Sequence, residues 1–276
     1  MNVPSQTAGG LAPAASRNWL TDPVASAHVA LACMDLTSLN VQDTEADIAA
    51  LCARAEGLYG PVAAVCVWPR LAAFARKQLP PSIAVAAVAN FPEGSADVER
   101  AVRETGAIVQ SGAQEVDLVL PYAQLLAGEY SAVSGMLVAV RKASRGLILK
   151  VILETGALVG REHILRASRL SLDAGADFLK TSTGKASISA TPEAARVMLG
   201  AIAADPHAAA HVGFKPSGGI RTVTDAAIYI ALTEELLGAA ALTPLRFRLG
   251  ASSLLTDIEA VLSGKADAAP SVAGRY

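Results

Sequence analysis

The sequence predicts an α/β fold of one domain, a (β/α)8 barrel of the TIM type. Three observations predict it. Short apolar runs rich in Val, Ile and Ala alternate with longer Ala-rich amphipathic runs, which is the βα rhythm of a parallel sheet. Eight such units follow one another, and eight in roughly 250 residues is the usual size of a closed barrel. No GxGxxG follows the first apolar run, which weighs against a doubly wound dinucleotide-binding sheet.

The strand candidates run in order through 28–36 (HVALACMDL), 63–68 (AAVCVW), 83–91 (IAVAAVANF) and 115–120 (EVDLVL). They continue through 147–154 (LILKVILE), 177–183 (DFLKTST), 211–218 (HVGFKPSG) and 247–253 (FRLGASS). Helical segments fill the intervals, among them 43–57, 95–112, 163–175 and 191–205. The last of these carries its own start signal. Thr191 stands at the N-cap, Pro192 at the first helical position and Glu193 in the first turn. Residues 1–25 and 263–276 are rich in Ala, Ser, Pro and Gly without an apolar period, and read as loosely ordered extensions of a barrel spanning 26–262.

Composition narrows the function. The 276 residues are 52% hydrophobic and 17% charged, enough for one large core. A net charge of -2 gives no reason to expect nucleic acid or an anionic membrane as partner. Cys33, Cys52 and Cys66 are odd in number and show no CxxC spacing, so a reducing, cytoplasmic setting is the simplest expectation. The N-terminus lacks the basic start and continuous apolar stretch of a secretory signal, and no run has the length of a membrane helix. The Ala-rich helices suit packing within a barrel and packing across a homodimer equally well.

Charges inside apolar strands carry the chemistry. Asp35 closes ALACM, Asp117 lies within EVDLVL, Lys150 within LILKVILE, Lys180 follows FL, and Lys215 follows VGF. Any one alone reads equally well as a polar strand end reaching water. As a set, flanked by large apolar residues, they read as a group sharing the barrel mouth, where catalytic residues collect at strand C-termini. Desolvation and a neighbouring like charge both lower a lysine pKa, and a neutral amine attacks carbonyls to give a Schiff base.

GADFLKTSTGK (175–185) holds two lysines that invite comparison with a phosphate-binding P-loop. That motif needs Gly five residues before the Gly-Lys pair and Ser or Thr after it; here Leu179 and Ala186 stand there. Lys185 is left as either a phosphate contact or a solvated loop lysine. Better anion sites lie after the last two strands. Gly218 and Gly219 allow close backbone approach, and Gly250, Ser252 and Ser253 open a helix whose N-terminus favours anions. Ordinary turn chemistry accounts for either loop taken singly.

The motifs DLTSLN, VCVWPR, VANFPEG, EVDLVLPY, LKVILETG, GADFLKTSTGK, VGFKPSGGIRT and FRLGASSLL, falling on all eight strands in order, resemble the deoxyribose-phosphate aldolases, a class I aldolase family. The resemblance covers about 28–258. It implies a barrel without metal or organic cofactor. It also implies reversible cleavage of 2-deoxy-D-ribose 5-phosphate to acetaldehyde and D-glyceraldehyde 3-phosphate. The family's Schiff-base lysine falls on Lys180, its second lysine on Lys215 and its proton-transferring aspartate on Asp117. Asp35, Thr37, Cys66, Lys150 and Thr183 match its substrate pocket. Lys185, Gly218, Gly219, Gly250, Ser252 and Ser253 match its phosphate site. Some members end in a tyrosine assigned to proton transfer, and this chain ends in Tyr276. Trp68 and Ser217 depart from the commoner Tyr and Ala. A Schiff-base aldolase for a ketose phosphate, and a silent sugar-phosphate-binding barrel, are the rival readings. The latter has no need of a lysine pair buried beside an acid.

Overall fold

The computed structural model describes residues 18–265. Strands and helices alternate around a parallel sheet. The strands of this sheet are β1 (Met34–Thr37), β2 (Ala64–Val67), β3 (Ala84–Ala89), β4 (Glu115–Val119), β5 (Ile148–Ile152), β6 (Phe178–Lys180), β7 (Gly213–Lys215) and β8 (Leu249–Ala251). Each lies within an expected strand, except that β1 runs one residue past its own. Sheet order is β8-β1-β2-β3-β4-β5-β6-β7, every neighbour parallel. The remaining gap between β7 and β8 closes through single bridges. Phe214 pairs Phe247, Ser217 pairs Gly250, and the Arg248 and Gly250 amides donate to Phe214 and Pro216 at 3.0 Å. The sheet is thus a barrel with one thin seam.

The helices are α1 (Pro23–Ala32), α2 (Glu45–Ala55), α3 (Pro69–Gln78), α4 (Val98–Gln110), α5 (Tyr122–Leu126), α6 (Tyr130–Ala143), α7 (Arg161–Asp173), α8 (Pro192–Ala204), α9 (Pro206–His211), α10 (Val223–Leu237) and α11 (Leu254–Leu262). Local chemistry starts them. Thr44 with Asp47, and Thr222 with Asp225, form capping boxes on α2 and α10. Thr191 accepts from the Ala194 amide ahead of Pro192 on α8, as its spacing predicts.

The first expected strand needs correction. Residues 28–32 belong to α1, and the strand begins at Met34. HVALA is apolar throughout, and a short apolar run has no period that separates a buried strand from a buried helix. The start signal lies upstream: Asp22 accepts from the Ala25 amide and Pro23 opens the helix. The boundary expected at residue 25 therefore falls inside α1, and Trp19 before it is buried, its indole N–H donating to Glu234 at 2.7 Å.

Strand alternation sorts residues into two layers. Leu36, Val65, Val67, Val85, Val116, Leu118, Leu149, Val151, Leu179 and Phe214 join the core between sheet and helices. The alternate positions face the barrel axis. There Cys66, Ala86, Val88, Val119 and Ile152 form a small apolar cluster with Leu39 and Phe91. Below it the interior is charged. Gly213 makes this interior possible: a Cβ there would meet the Phe178 ring at 2.3 Å.

Candidate active site

Lys180 and Lys215 are the last residues of adjacent strands and stand in register. Asp117 stands in register with Lys150. This pairing brings three amines onto one carboxylate. Asp117 Oδ2 accepts from Lys180 Nζ at 2.8 Å and Lys215 Nζ at 2.7 Å, and Oδ1 accepts from Lys150 Nζ at 2.9 Å. Lys215 also forms a short ion pair with Asp35, and Lys150 lies 3.1 Å from the same carboxylate. Lys150 further contacts Glu115, which is held by the Arg248 fork at 2.7 and 3.2 Å. Arg248 Nη1 donates to Asp35 at 2.5 Å. All seven groups are buried.

Burial penalises every charge here, and only partners decide which survive. For Lys150, burial is outweighed by Asp117, Asp35 and Glu115, and the amine is held well above its ordinary value. For Lys215, burial is outweighed by Asp117 and Asp35, and it too is raised. For Lys180, burial leads, Lys215 adds to it, and Asp117 does not compensate; its pKa is lowered. Both expected causes act, and desolvation is the larger. Asp117 and Asp35 are pulled far below the carboxylate range by these cations, against their burial. The resting state therefore holds ionised carboxylates, charged Lys150 and Lys215, and a Lys180 amine shifted toward neutrality.

Of the three lysines, Lys180 alone lines the cavity at the mouth, a space of about 330 Å³. Thr37, Thr183, Lys185, Gly218, Gly219, Gly250, Ser252 and Ser253 line it as well, so the expected phosphate residues converge on one space. Gly218 and Gly219 both take positive φ, +84° and +82°, which L side chains rarely adopt. A Cβ on Gly218 would in addition meet Ser189 at 2.6 Å. Ser253 is the N-cap of α11, yet its side chain makes no capping bond, so the Leu254 and Leu255 amides are left for an anion while that of Thr256 donates to Ser253 O at 3.2 Å. Gly250 differs from expectation, because its amide is committed to Pro216. Its contribution is space: a Cβ would lie 2.6 Å from Ser217 and 3.1 Å from Lys215 Cε. Ser217 ties the two loops together, donating from Oγ to Ser182 O at 2.5 Å and from its amide to Thr181 Oγ1 at 2.9 Å.

Asp35, Lys150 and Cys66, expected in the substrate pocket, lie beneath the cavity rather than along it. The Cys66 thiol points at Asp117 with Sγ 4.0 Å from Oδ2, and burial raises its pKa. Tyr276 lies outside the described residues. Sequence reasoning missed Glu115, Arg248, Glu154 and Arg221. Glu154 accepts from the Thr183 hydroxyl at 2.5 Å and so fixes the loop after Lys180. Arg221 adds a cation to the cavity wall, and its place two residues after the glycine pair was the available signal. Among the described residues, no group of three or more His, Cys, Asp and Glu side chains could hold a metal ion.

A parallel barrel whose mouth presents one desolvated lysine beside a glycine-lined, anion-suited cavity defines an aldolase-type barrel. The comparisons agree with that class. The chain belongs to the DeoC/LacD family of aldolases, whose family model matches residues 29–260. It is 46% identical over 248 residues to the deoxyribose-phosphate aldolase of Agrobacterium fabrum, covering 89% of this chain and 95% of that one. Among solved structures, a candidate deoxyribose-phosphate aldolase from Coccidioides immitis superposes with TM-score 0.74 at 32% identity, covering 85% and 87% of the two chains. The tetrameric deoxyribose phosphate aldolase from Aeropyrum pernix superposes with TM-score 0.69 at 26% identity, covering 91% and 99%.

Proposed function

We propose that the chain catalyses reversible cleavage of 2-deoxy-D-ribose 5-phosphate to acetaldehyde and D-glyceraldehyde 3-phosphate through a Schiff base on Lys180. The observation that carries the reading is that Lys180, alone among the cluster lysines, both faces the cavity and is pushed below its ordinary pKa. The 46% identity to the Agrobacterium fabrum aldolase supports the substrate.

The neutral Lys180 amine attacks C1 of the open-chain sugar, forming the C–N bond while the carbonyl oxygen gains a proton. Loss of water gives the iminium. Removal of the C3 hydroxyl proton breaks C2–C3, its electrons passing into the iminium to make an enamine as the C3 aldehyde leaves. Asp117, ionised and bonded to Lys180 and Lys215, enters as proton acceptor, with bound water carrying protons between it and the substrate. Protonation of the enamine at C2 and hydrolysis release acetaldehyde and restore the amine. The iminium is cationic, and Asp117 at 2.8 Å from Nζ favours its formation. Lys185, the glycine pair and the start of α11 hold the phosphate. Asp35 and Lys150 support the site from below, Thr37 and Thr183 meet the sugar, and Tyr276 at the chain end supplies a proton to the enamine.

Borohydride with acetaldehyde tests the covalent step. The tag is expected on the peptide containing Lys180; a tag on Lys150, or none, refutes the assignment. Cleavage of the sugar phosphate, unaffected by EDTA, tests substrate and metal independence together. The chain is further proposed to act in the cytoplasm, a setting supported by three buried free cysteines, and a homodimer is one assembly its Ala-rich helices allow. Sedimentation velocity distinguishes this from the tetramer described for the Aeropyrum pernix relative.

A further inference from the structure

The charged interior extends below the residues that perform the chemistry. Glu115 opens β4, and Arg248 directly precedes β8, at the end of the barrel opposite the mouth. A cavity of about 570 Å³ reaches them there, lined also by His28, Tyr59 and Gln114. Most of the hydrogen-bonding capacity of both side chains is spent within the protein. Arg248 Nε donates to Pro244 O at 2.5 Å and its two Nη atoms go to Asp35 and Glu115. Both carboxylate oxygens of Glu115 accept from cations. The pair therefore seals the base of the cluster.

Its charges also complete a balance. Asp35, Glu115 and Asp117 face Lys150, Lys215 and Arg248, three against three. With Lys180 uncharged, these six charges cancel. Groups facing Lys180 directly are Asp117 on β4, Lys215 on β7, Cys66 on β2 and Glu154 beyond β5, with Lys185 and Arg221 in the cavity wall. Glu115 and Arg248 act one layer behind, through Asp35, Lys150 and Asp117.

We propose that Glu115 and Arg248 are positioning residues for the aldol reaction, a buried ion pair at the base of the barrel that fixes the charge balance under which the Lys180 amine reacts. This rests on Lys180 being the covalent residue. A pair that only braced the fold would affect yield and stability. A pair that sets charge moves the pH profile, and its two members move it in opposite directions. Loss of the guanidinium leaves an excess anion that favours protonated Lys180. Loss of the carboxylate leaves an excess cation that disfavours it.

The test is the initial rate of acetaldehyde-dependent borohydride tagging of the Lys180 peptide as a function of pH, read by mass spectrometry. Arg248→Met is expected to shift the midpoint alkaline by about one pH unit, and the near-isosteric Glu115→Gln to shift it acid by about as much. The double variant, neutral again, returns toward the wild-type midpoint. Should Arg248→Met not fold, Glu115→Gln and the double variant decide alone. Single-variant midpoints that stay in place, or that move in the same direction, overturn the proposal. Absence of a Lys180 tag in the wild-type enzyme overturns the underlying assignment instead, and the proposal with it.

Discussion

Replacing Lys215 by leucine gives the sharpest test of how the mouth makes a nucleophile. Lys180 and Lys215 both donate to Asp117 Oδ2, at 2.8 and 2.7 Å, so their nitrogens lie no farther apart than those bonds laid end to end, 5.5 Å. Two unit charges at that distance repel by about 3 kcal/mol at an effective dielectric of about 20, which corresponds to about two pH units. Lys215→Leu removes that repulsion and leaves the cluster one cation short, so protonated Lys180 restores neutrality. The apparent pKa of the reacting amine is expected to rise by about two units, and the neutral fraction near pH 7 to fall as much as a hundredfold. Burial still lowers the Lys180 pKa in the variant, so the rise returns it toward an ordinary lysine. The substitution also leaves Asp35 and Asp117 short of a partner. Each keeps other cations, so destabilisation falls toward the low end of the about 3–5 kcal/mol typical of a broken buried pair. The assay is the pH dependence of the initial tagging rate by borohydride with acetaldehyde, since its midpoint is independent of any loss in later proton transfers. A midpoint that does not move would show that desolvation alone sets the Lys180 amine, and would refute the like-charge part of the argument.

Asp117→Asn removes the acceptor shared by three amines and is expected to lower kcat by about 10²–10⁴, measured on sugar-phosphate cleavage; a loss below tenfold contradicts a proton-transfer role. Gly218→Ala combines positive φ with a 2.6 Å approach to Ser189, and is expected to raise KM for the phosphorylated sugar more than for unphosphorylated deoxyribose. Equal effects on both substrates speak against a phosphate role for that loop. Stability should depend on pH at both extremes. Asp35 and Asp117 are depressed in the fold, so the stability they contribute is present above the unfolded carboxylate value of about 4 and is lost as pH falls below it. Lys150 and Lys215 are raised, so theirs is present below about 10.4 and is lost as pH rises beyond it. Thermal melts are expected to plateau between and fall on both sides; a Tm that climbs on acidification below pH 4 contradicts the ion cluster.

Much of this protein was legible in its residues. The βα rhythm fixes the layered fold, because parallel strands buried on both faces must read as short apolar runs. Charges inside those runs marked Asp35, Asp117, Lys150, Lys180 and Lys215, since a charge in such a place needs a partner. The spacing of GADFLKTSTGK separated a strand-end lysine from a loop lysine. By sequence, Lys150 lies inside an apolar strand and Lys180 at a strand end, and the resemblance assigned the Schiff base to Lys180. The closed barrel supplies the physical difference between them. Lys150 lies two residues below the end of β5, enclosed by three carboxylates, while Lys180 ends β6, opens to the cavity and keeps one. Glu115 and Arg248 were silent in the sequence. At strand starts they read as ordinary polar termini, and their pairing joins residues 133 positions apart across the barrel axis. Strand order and register decided that meeting, because electrostatic partners inside a barrel are set by distance through its interior, which no separation along the chain encodes.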